Sequence, residues 1–364
     1  VVVLERNILG GSTSGKSAGF LTPDSELELS QLIRRFGVDG ARDLWSVPTK
    51  GIDMMRATIT GHGIDCDLQR QDSLFLGIGK SGWADIQDEM RARTALAFDQ
   101  RLYDAPALAK IIGSTGYCGA VRYAETFGVN ALRYCQGVKK ILVGNGIEVH
   151  EASEVLSIED HCARTHLGSV TADQIIVCAD KLDRSLTDNV YHAQTFLSIS
   201  EPLNDRMVAS IFPDDRFQCW DSTLVYSYFR LTGDNRILLG GGDMLSTFAK
   251  NDLDSPRIIN RVIAGFKEKF PQLRELEFIQ YWPGRIDSTR DLLPTVLKDE
   301  RAPWLHFVLG CVGLPWATFC GDFAARQQRQ AVRASLVRVA QALRQGGIFV
   351  AVRVPALATQ RVDG

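Results

Sequence analysis

The chain has 364 residues, 41 Lys plus Arg against 43 Asp plus Glu, a formal net charge of −2 and 45% apolar residues. Near-neutral charge excludes an overall basic nucleic-acid binder, and this much apolar material excludes a disordered chain. The length points to two domains or one large elaborated domain.

The chain opens with Val1-Val2-Val3-Leu4-Glu5, an apolar run without alternation that ends in an acid. That pattern predicts a buried parallel strand. Such a strand needs neighbours on both sides, so residue 1 reads as the interior of a domain and the start of a truncated chain. Gly10 to Ser17 then matches the phosphate-loop pattern GxxxxGK[ST], with Lys16 and Ser17 as its reactive end. Two contexts oppose a nucleotide hydrolase. Arg6 to Leu9 separates strand from loop, and Pro23 follows too soon for the long helix that a phosphate loop opens. The other reading starts from Glu5. An acid closing a second parallel strand hydrogen-bonds the adenosine ribose in dinucleotide-binding folds. The Gly/Ser/Thr-rich turn from Gly10 to Gly19 would then lie against a cofactor.

Residues 26–60 read as helical, with interruptions at Gly37 and Pro48. Residues 64–79 read as strand and 83–98 as helix. Asn130 to Val143 predicts another helix, closed by Gly144-Asn145-Gly146. Short strands are expected at 147–150, 155–158, 166–173 and 175–178, then alternating antiparallel strands at 194–200, 224–231 and 236–239. A helix follows over 256–270, a strand over 304–309, and a final helix opening near Gly321. Parallel units at both ends with antiparallel strands between them predict an α/β fold with an inserted sheet domain. The tail, 331–364, lacks Lys and Glu, and Val332, Leu336, Val339 and Leu343 mark one face of a possible amphipathic helix.

No pair of the eight Cys has CxxC spacing, so no metal site is expected, and a reducing cytoplasmic setting fits. The longest apolar run, His306 to Phe319, is broken by glycines and a proline, so no membrane span is expected. His306 reads as a satisfied core residue.

Taken in order, VVVLERNILGGSTSGKSAGFLTP, DCDLQRQDSLFLG, TADQIIVCAD, LVYSYFRLTGDNRILLGGG, YWPGRIDSTRDLLP and GCVGLPWATFCGDFAARQ resemble the FAD-dependent D-amino-acid-oxidase/glycine-oxidase superfamily. The resemblance spans about residues 1–330 and is closest to the gamma-glutamylputrescine oxidase branch. It implies an FAD-binding Rossmann-like domain of the glutathione-reductase type, over 1–50, 130–190 and 285–330. It also implies a mainly antiparallel α+β substrate domain, over 51–129 and 191–284. The activity implied is oxidation of a C–N bond in an amine or amino acid by hydride transfer to flavin N5. Oxygen or another acceptor would reoxidise the flavin, and no side-chain base is required.

For the cofactor, the resemblance implies Glu5 at the ribose, Arg6 as a further cofactor contact, and Thr13, Ser14, Ser17, Ala18 and Gly19 along the pyrophosphate and isoalloxazine. Val155 would meet adenine, and Gly313, Leu314 and Pro315 the flavin pyrimidine end, where a helix N-terminus favours negative charge. Arg285 matches a carboxylate-binding position, and its alternative is an ion pair with Asp287 or Asp291. Tyr228 and Arg230 would share the pocket face of a strand; the alternative is burial between domains. Two departures stand out. Asp180 replaces a small residue, and no GxGxxG turn precedes Glu5, which predicts weakened FAD binding by this chain or a non-catalytic remnant.

Overall fold

A computed structural model describes residues 1–24, 26–99, 101–179, 190–242, 256–331 and 351–352. Two sheets organise them. The smaller has the strand order Thr295–Lys298, Leu305–Leu309, Ile175–Val177, Ala351–Val352, Val2–Leu4, Glu148–His150. Val2–Leu4 runs parallel to Glu148–His150, and Ile175–Val177 runs parallel to Leu305–Leu309. Between these pairs, Ala351–Val352 bonds antiparallel to both, pairing Val352 with Val2 and with Ile175. The opening run is therefore a buried strand, with Val2 and Val3 each 3% exposed.

The larger sheet has eight strands: Phe278–Thr289, Val190–Pro202, Arg236–Gly241, Tyr228–Leu231, Phe217–Asp221, Asp72–Gly77, Gly119–Tyr123 and Arg101–Asp104. All neighbours are antiparallel except Phe217–Asp221 and Asp72–Gly77. One face buries Phe196, Phe217 and Phe229 against Phe266 and Phe270 of the Pro256–Lys269 helix region. On the other face, Trp220 and Tyr123 pack with Trp45 and Ile86 from the helices Leu29–His62 and Gly79–Ala95. The expected mixed α/β architecture, with parallel strands at the two ends of the chain and antiparallel strands between, is present.

Several local expectations shift. The first long helix begins at Leu29, carries Pro48 within it, and kinks at Gly37, whose φ of 72° breaks the helical path. The helix Ala131–Gly144 is capped by Asn130, whose side chain accepts from Arg133 N at 3.0 Å. The final helix starts at Leu314 rather than near Gly321. Pro315 is its second residue, where a missing N–H costs nothing because no carbonyl precedes it within the helix. His306 is 8% exposed and its Nε2 meets Gln174 Oε1 at 3.0 Å, a satisfied core residue as expected. Asp180 and the helix face Val332, Leu336, Val339 and Leu343 lie outside the described residues.

Candidate active site

One cavity of about 1110 Å³ runs between the two sheets. This lies just above the usual range of ligand pockets, roughly 300–1,000 Å³, and suits a dinucleotide together with a small substrate. The carboxyl ends of three strands open into it, through Leu4–Glu5, Val177–Ala179 and Leu309–Gly313. Ligands of open α/β sheets bind at such strand ends.

The Gly10–Gly19 segment forms part of the wall. It folds as a single helical turn, Thr13–Lys16, after which Ser17 is extended and Phe20–Leu21 forms a strand. A phosphate loop would instead open a long helix at Lys16, so the hydrolase geometry is absent. Lys16 holds the wall through its main chain, where its carbonyl accepts from Trp282 Nε1 at 3.0 Å.

Of the residues expected at the cofactor, Glu5, Arg6, Thr13, Ser14, Ser17, Ala18, Val155, Gly313 and Leu314 line this cavity. Glu5 Oε1 accepts from Asn7 N at 2.9 Å, and Arg6 lies 3.9 Å from Glu154. Val155 also packs beside Val2, Leu4 and Ala163, so its core role and its wall role coincide. Gly19 and Pro315 do not line the cavity. Gly19 is buried behind the turn and donates to Ser17 Oγ at 3.2 Å. Pro315 is buried against Gly51 of the long helix, where a Cβ on Gly51 would fall 2.0 Å from the Pro315 carbonyl oxygen.

The residues present fit FAD. The cavity is large enough, its wall carries the hydroxyls of Ser12, Thr13, Ser14 and Ser17, and the Leu314–Ala331 helix presents its N-terminus to it. Helix N-termini favour negative charge, whether a phosphate or a reduced ring. Gly313, with φ of 89°, is exposed on the cavity side with no atom closer than 3.8 Å to an added Cβ.

Arg285 and Tyr228 line the same cavity from the eight-stranded sheet. The Thr195 hydroxyl hydrogen-bonds the Tyr228 phenol, and the Thr195 backbone pairs across the sheet with Gly284, the neighbour of Arg285. Burial pushes the Tyr228 phenol up to about 12, so it stays neutral. Its ring fits because residue 240 is glycine; a Cβ there would fall 2.1 Å from Tyr228 Cζ. Arg230 departs from the expected pocket role. It is 2% exposed and its guanidinium donates to Val129 O at 2.6 Å, Ala18 O at 2.7 Å and Leu231 O at 3.2 Å. It fastens the turn from behind, and burial lowers its pKa to about 10.

Sequence reasoning missed an acidic wall. Asp24 and Glu26 line the cavity beside Trp220, Tyr226 and Tyr228. Burial, with Glu26 and Glu89 nearby, raises Asp24 to about 7. Acids at every second position, 24, 26 and 28, were the available signal.

The family model described as "FAD dependent oxidoreductase" (DAO) matches residues 1–327. The chain belongs to the DAO family of FAD-dependent oxidoreductases. It is 27% identical to gamma-glutamylputrescine oxidoreductase of Escherichia coli over 81% of this chain and 70% of that one. A probable oxidoreductase, OrdL, of Haemophilus influenzae is 25% identical over 86% of this chain and 73% of that one. Among solved structures, glycine oxidase from Geobacillus kaustophilus superposes with a TM-score of 0.72 at 15% identity, covering 85% of this chain and 82% of the other. The fold is therefore that of DAO-type flavoenzymes, and FAD is the family's cofactor. No helix among the described residues is long and apolar enough to cross a membrane.

Proposed function

We propose that this DAO-family chain oxidises a C–N bond in an amine or amino acid. One observation carries the reading: nine of the eleven residues expected at the cofactor line a single cavity together with Arg285 and Tyr228. A relative named for gamma-glutamylputrescine and a fold neighbour named for glycine support a nitrogenous substrate.

FAD, when bound, supplies the two-electron acceptor, and oxygen or another acceptor later removes the electrons. The chain's own residues orient the substrate. Arg285 takes a substrate carboxylate in a bidentate pair, which fixes the direction of the C–N bond. The neutral Tyr228 phenol, held by Thr195, adds a polar contact beside it. The aromatic and apolar wall keeps bulk water from the reacting carbon. The substrate amine enters deprotonated; the hydrogen on its carbon would leave with the C–H electron pair as a hydride to the FAD acceptor, and the nitrogen then loses a proton to give the imine. The resulting imine takes up water to give a carbonyl compound and the released amine.

Arg285→Lys keeps the charge but loses the planar fork. We expect kcat/KM for α-amino acids to fall roughly tenfold or more, while carboxylate-free amines change only a few-fold. Equal losses on both substrate classes would remove Arg285 from carboxylate binding.

A further inference from the structure

Two leucines are fixed on the cavity wall by the turns that carry them. Leu224 lies in the loop between the strands Phe217–Asp221 and Tyr228–Leu231, and Leu292 in the turn after Phe278–Thr289. Both line the cavity.

Leu224 is 80% exposed. A single exposed leucine is ordinary on a protein surface. This one stands on a rigid frame at the cavity. Asp221, itself buried, accepts from Thr223 N at 3.1 Å and from Ser227 N at 3.3 Å, and its own N–H donates to Ser227 O at 3.0 Å. Ser222 ties the loop to the adjoining strand: its N–H donates to Leu76 O at 2.9 Å, and its hydroxyl accepts from Ile78 N at 3.0 Å. Val225, Tyr226 and Tyr228 continue the cavity wall from Leu224.

Leu292 is held against its backbone preference. Its φ of 65° is left-handed, a conformation that glycine or asparagine adopts readily and leucine rarely. Among the described non-glycine residues with positive φ, it is the one branched aliphatic. The turn fixes it. Leu292 N donates to Thr289 O at 3.1 Å, Leu293 N donates to Asp291 Oδ1 at 3.2 Å, and Arg35 donates to Asp291 O at 3.0 Å. Residues strained in this way gather at active sites and ligand clamps.

The cavity also has room on the sheet. A Cβ on Gly284 would meet only Thr195 Oγ1, at 3.8 Å. Tyr191 and Ile286 line the cavity from the same two strands. A charged or hydrogen-bonding group gains nothing from two leucine side chains. A branched aliphatic or phenyl group gains the burial of their apolar surface.

We propose that Leu224 and Leu292 hold the side chain of the substrate, which is an amine or amino acid bearing a large apolar group. The inference rests on the amine-oxidation reading and names its substrate class. Both leucines are positioning residues. They fix the part of the substrate beyond the reacting carbon, and no covalent step occurs on them.

The test uses the full chain with FAD present and two probes, racemic leucine and racemic alanine, which share their polar groups and differ in apolar bulk. Calorimetric titration is expected to show leucine binding about tenfold or more tightly. Leu224→Asn and Leu292→Asn are nearly isosteric, and asparagine suits the left-handed backbone at 292. Each is expected to lower the leucine-to-alanine affinity ratio about threefold or more, whereas Leu224→Met keeps it. Because Leu224 is so exposed, its replacement leaves the core untouched. Equal affinities in the native chain, binding of neither probe, a ratio unchanged by either asparagine variant, or a ratio lost in Leu224→Met overturns the subsite. Turnover is read separately. A leucine preference in binding with oxidation of neither probe removes the oxidation reading and leaves the apolar subsite. Oxidation of both probes with equal affinity and equal kcat/KM keeps that reading and removes the subsite.

Discussion

Removing Arg230 tests whether a side chain behind the cavity sets the shape of its wall. Its guanidinium fills three carbonyls, those of Ala18, Val129 and Leu231. In Arg230→Met, Leu231 O keeps its bond from Gln71 Nε2 at 2.8 Å. The other two carbonyls lose this donor, at about 1–3 kcal/mol each, or about 2–6 kcal/mol together. Met also relieves the desolvation that lowers the Arg230 pKa to about 10, which favours the lower part of the range, about 2–4 kcal/mol. A chain of 364 residues unfolds with an entropy of roughly 0.8 kcal/mol/K, so the melting temperature is expected to fall by about 3–5 °C. Because Ala18 lines the cavity, FAD affinity measured by quenching of flavin fluorescence should drop as well. A thermal scan with an unchanged midpoint, together with unchanged FAD affinity, would refute the view that Arg230 fastens the turn.

Three further outcomes follow from the same geometry. Gly240→Ala places a methyl group 2.1 Å from Tyr228 Cζ, so the ring must move. We expect a loss of about 1–3 kcal/mol in denaturant unfolding and a larger rise in KM than fall in kcat. For Asp24, the folded-state pKa of about 7 exceeds the ordinary aspartate value of 3.8, so the folded chain binds more protons than the unfolded chain between those values. Its contribution is therefore present below pH 4 and lost as pH rises through 7, by at most about 4 kcal/mol. Asp24 faces Glu26, Glu28 and Glu89 with the Thr22 hydroxyl, and Arg93 acts on Glu89. Asp24→Asn should flatten the decline in melting temperature between about pH 5 and pH 8, and an unchanged slope would assign that decline elsewhere. Finally, Lys16→Ala keeps the carbonyl that Trp282 uses, so FAD affinity should change only a few-fold; loss of ATP binding on this substitution would revive the phosphate-loop reading.

Long amphipathic helices and the buried opening strand were legible because periodicity and apolar runs are local properties. Phe217–Asp221 was missed, since all five of its residues are buried and it shows no alternation. The closing helix was expected to open near Gly321, yet it starts at Leu314 with Pro315 in its first turn, where proline is tolerated. At the candidate site, the glycine turns were recognisable because close backbone approach demands small residues. Arg230 and the acidic wall were not, because their roles depend on distant partners. Arg230 reaches Ala18 across 212 positions, and Tyr226 reaches Glu26 across 200. An acid is legible as an acid, but its burial is a property of the fold.

The central claim is that this chain holds FAD in the cavity between its sheets and passes electrons from an amine to it. The most direct measurement mixes the FAD-loaded full chain with an amine or amino acid under anaerobic conditions and follows the flavin's long-wavelength absorbance. The account predicts that the band bleaches in a single substrate-dependent phase and returns when air is admitted. A chain that binds FAD stoichiometrically, yet keeps its absorbance unchanged with amines and amino acids alike, would contradict it.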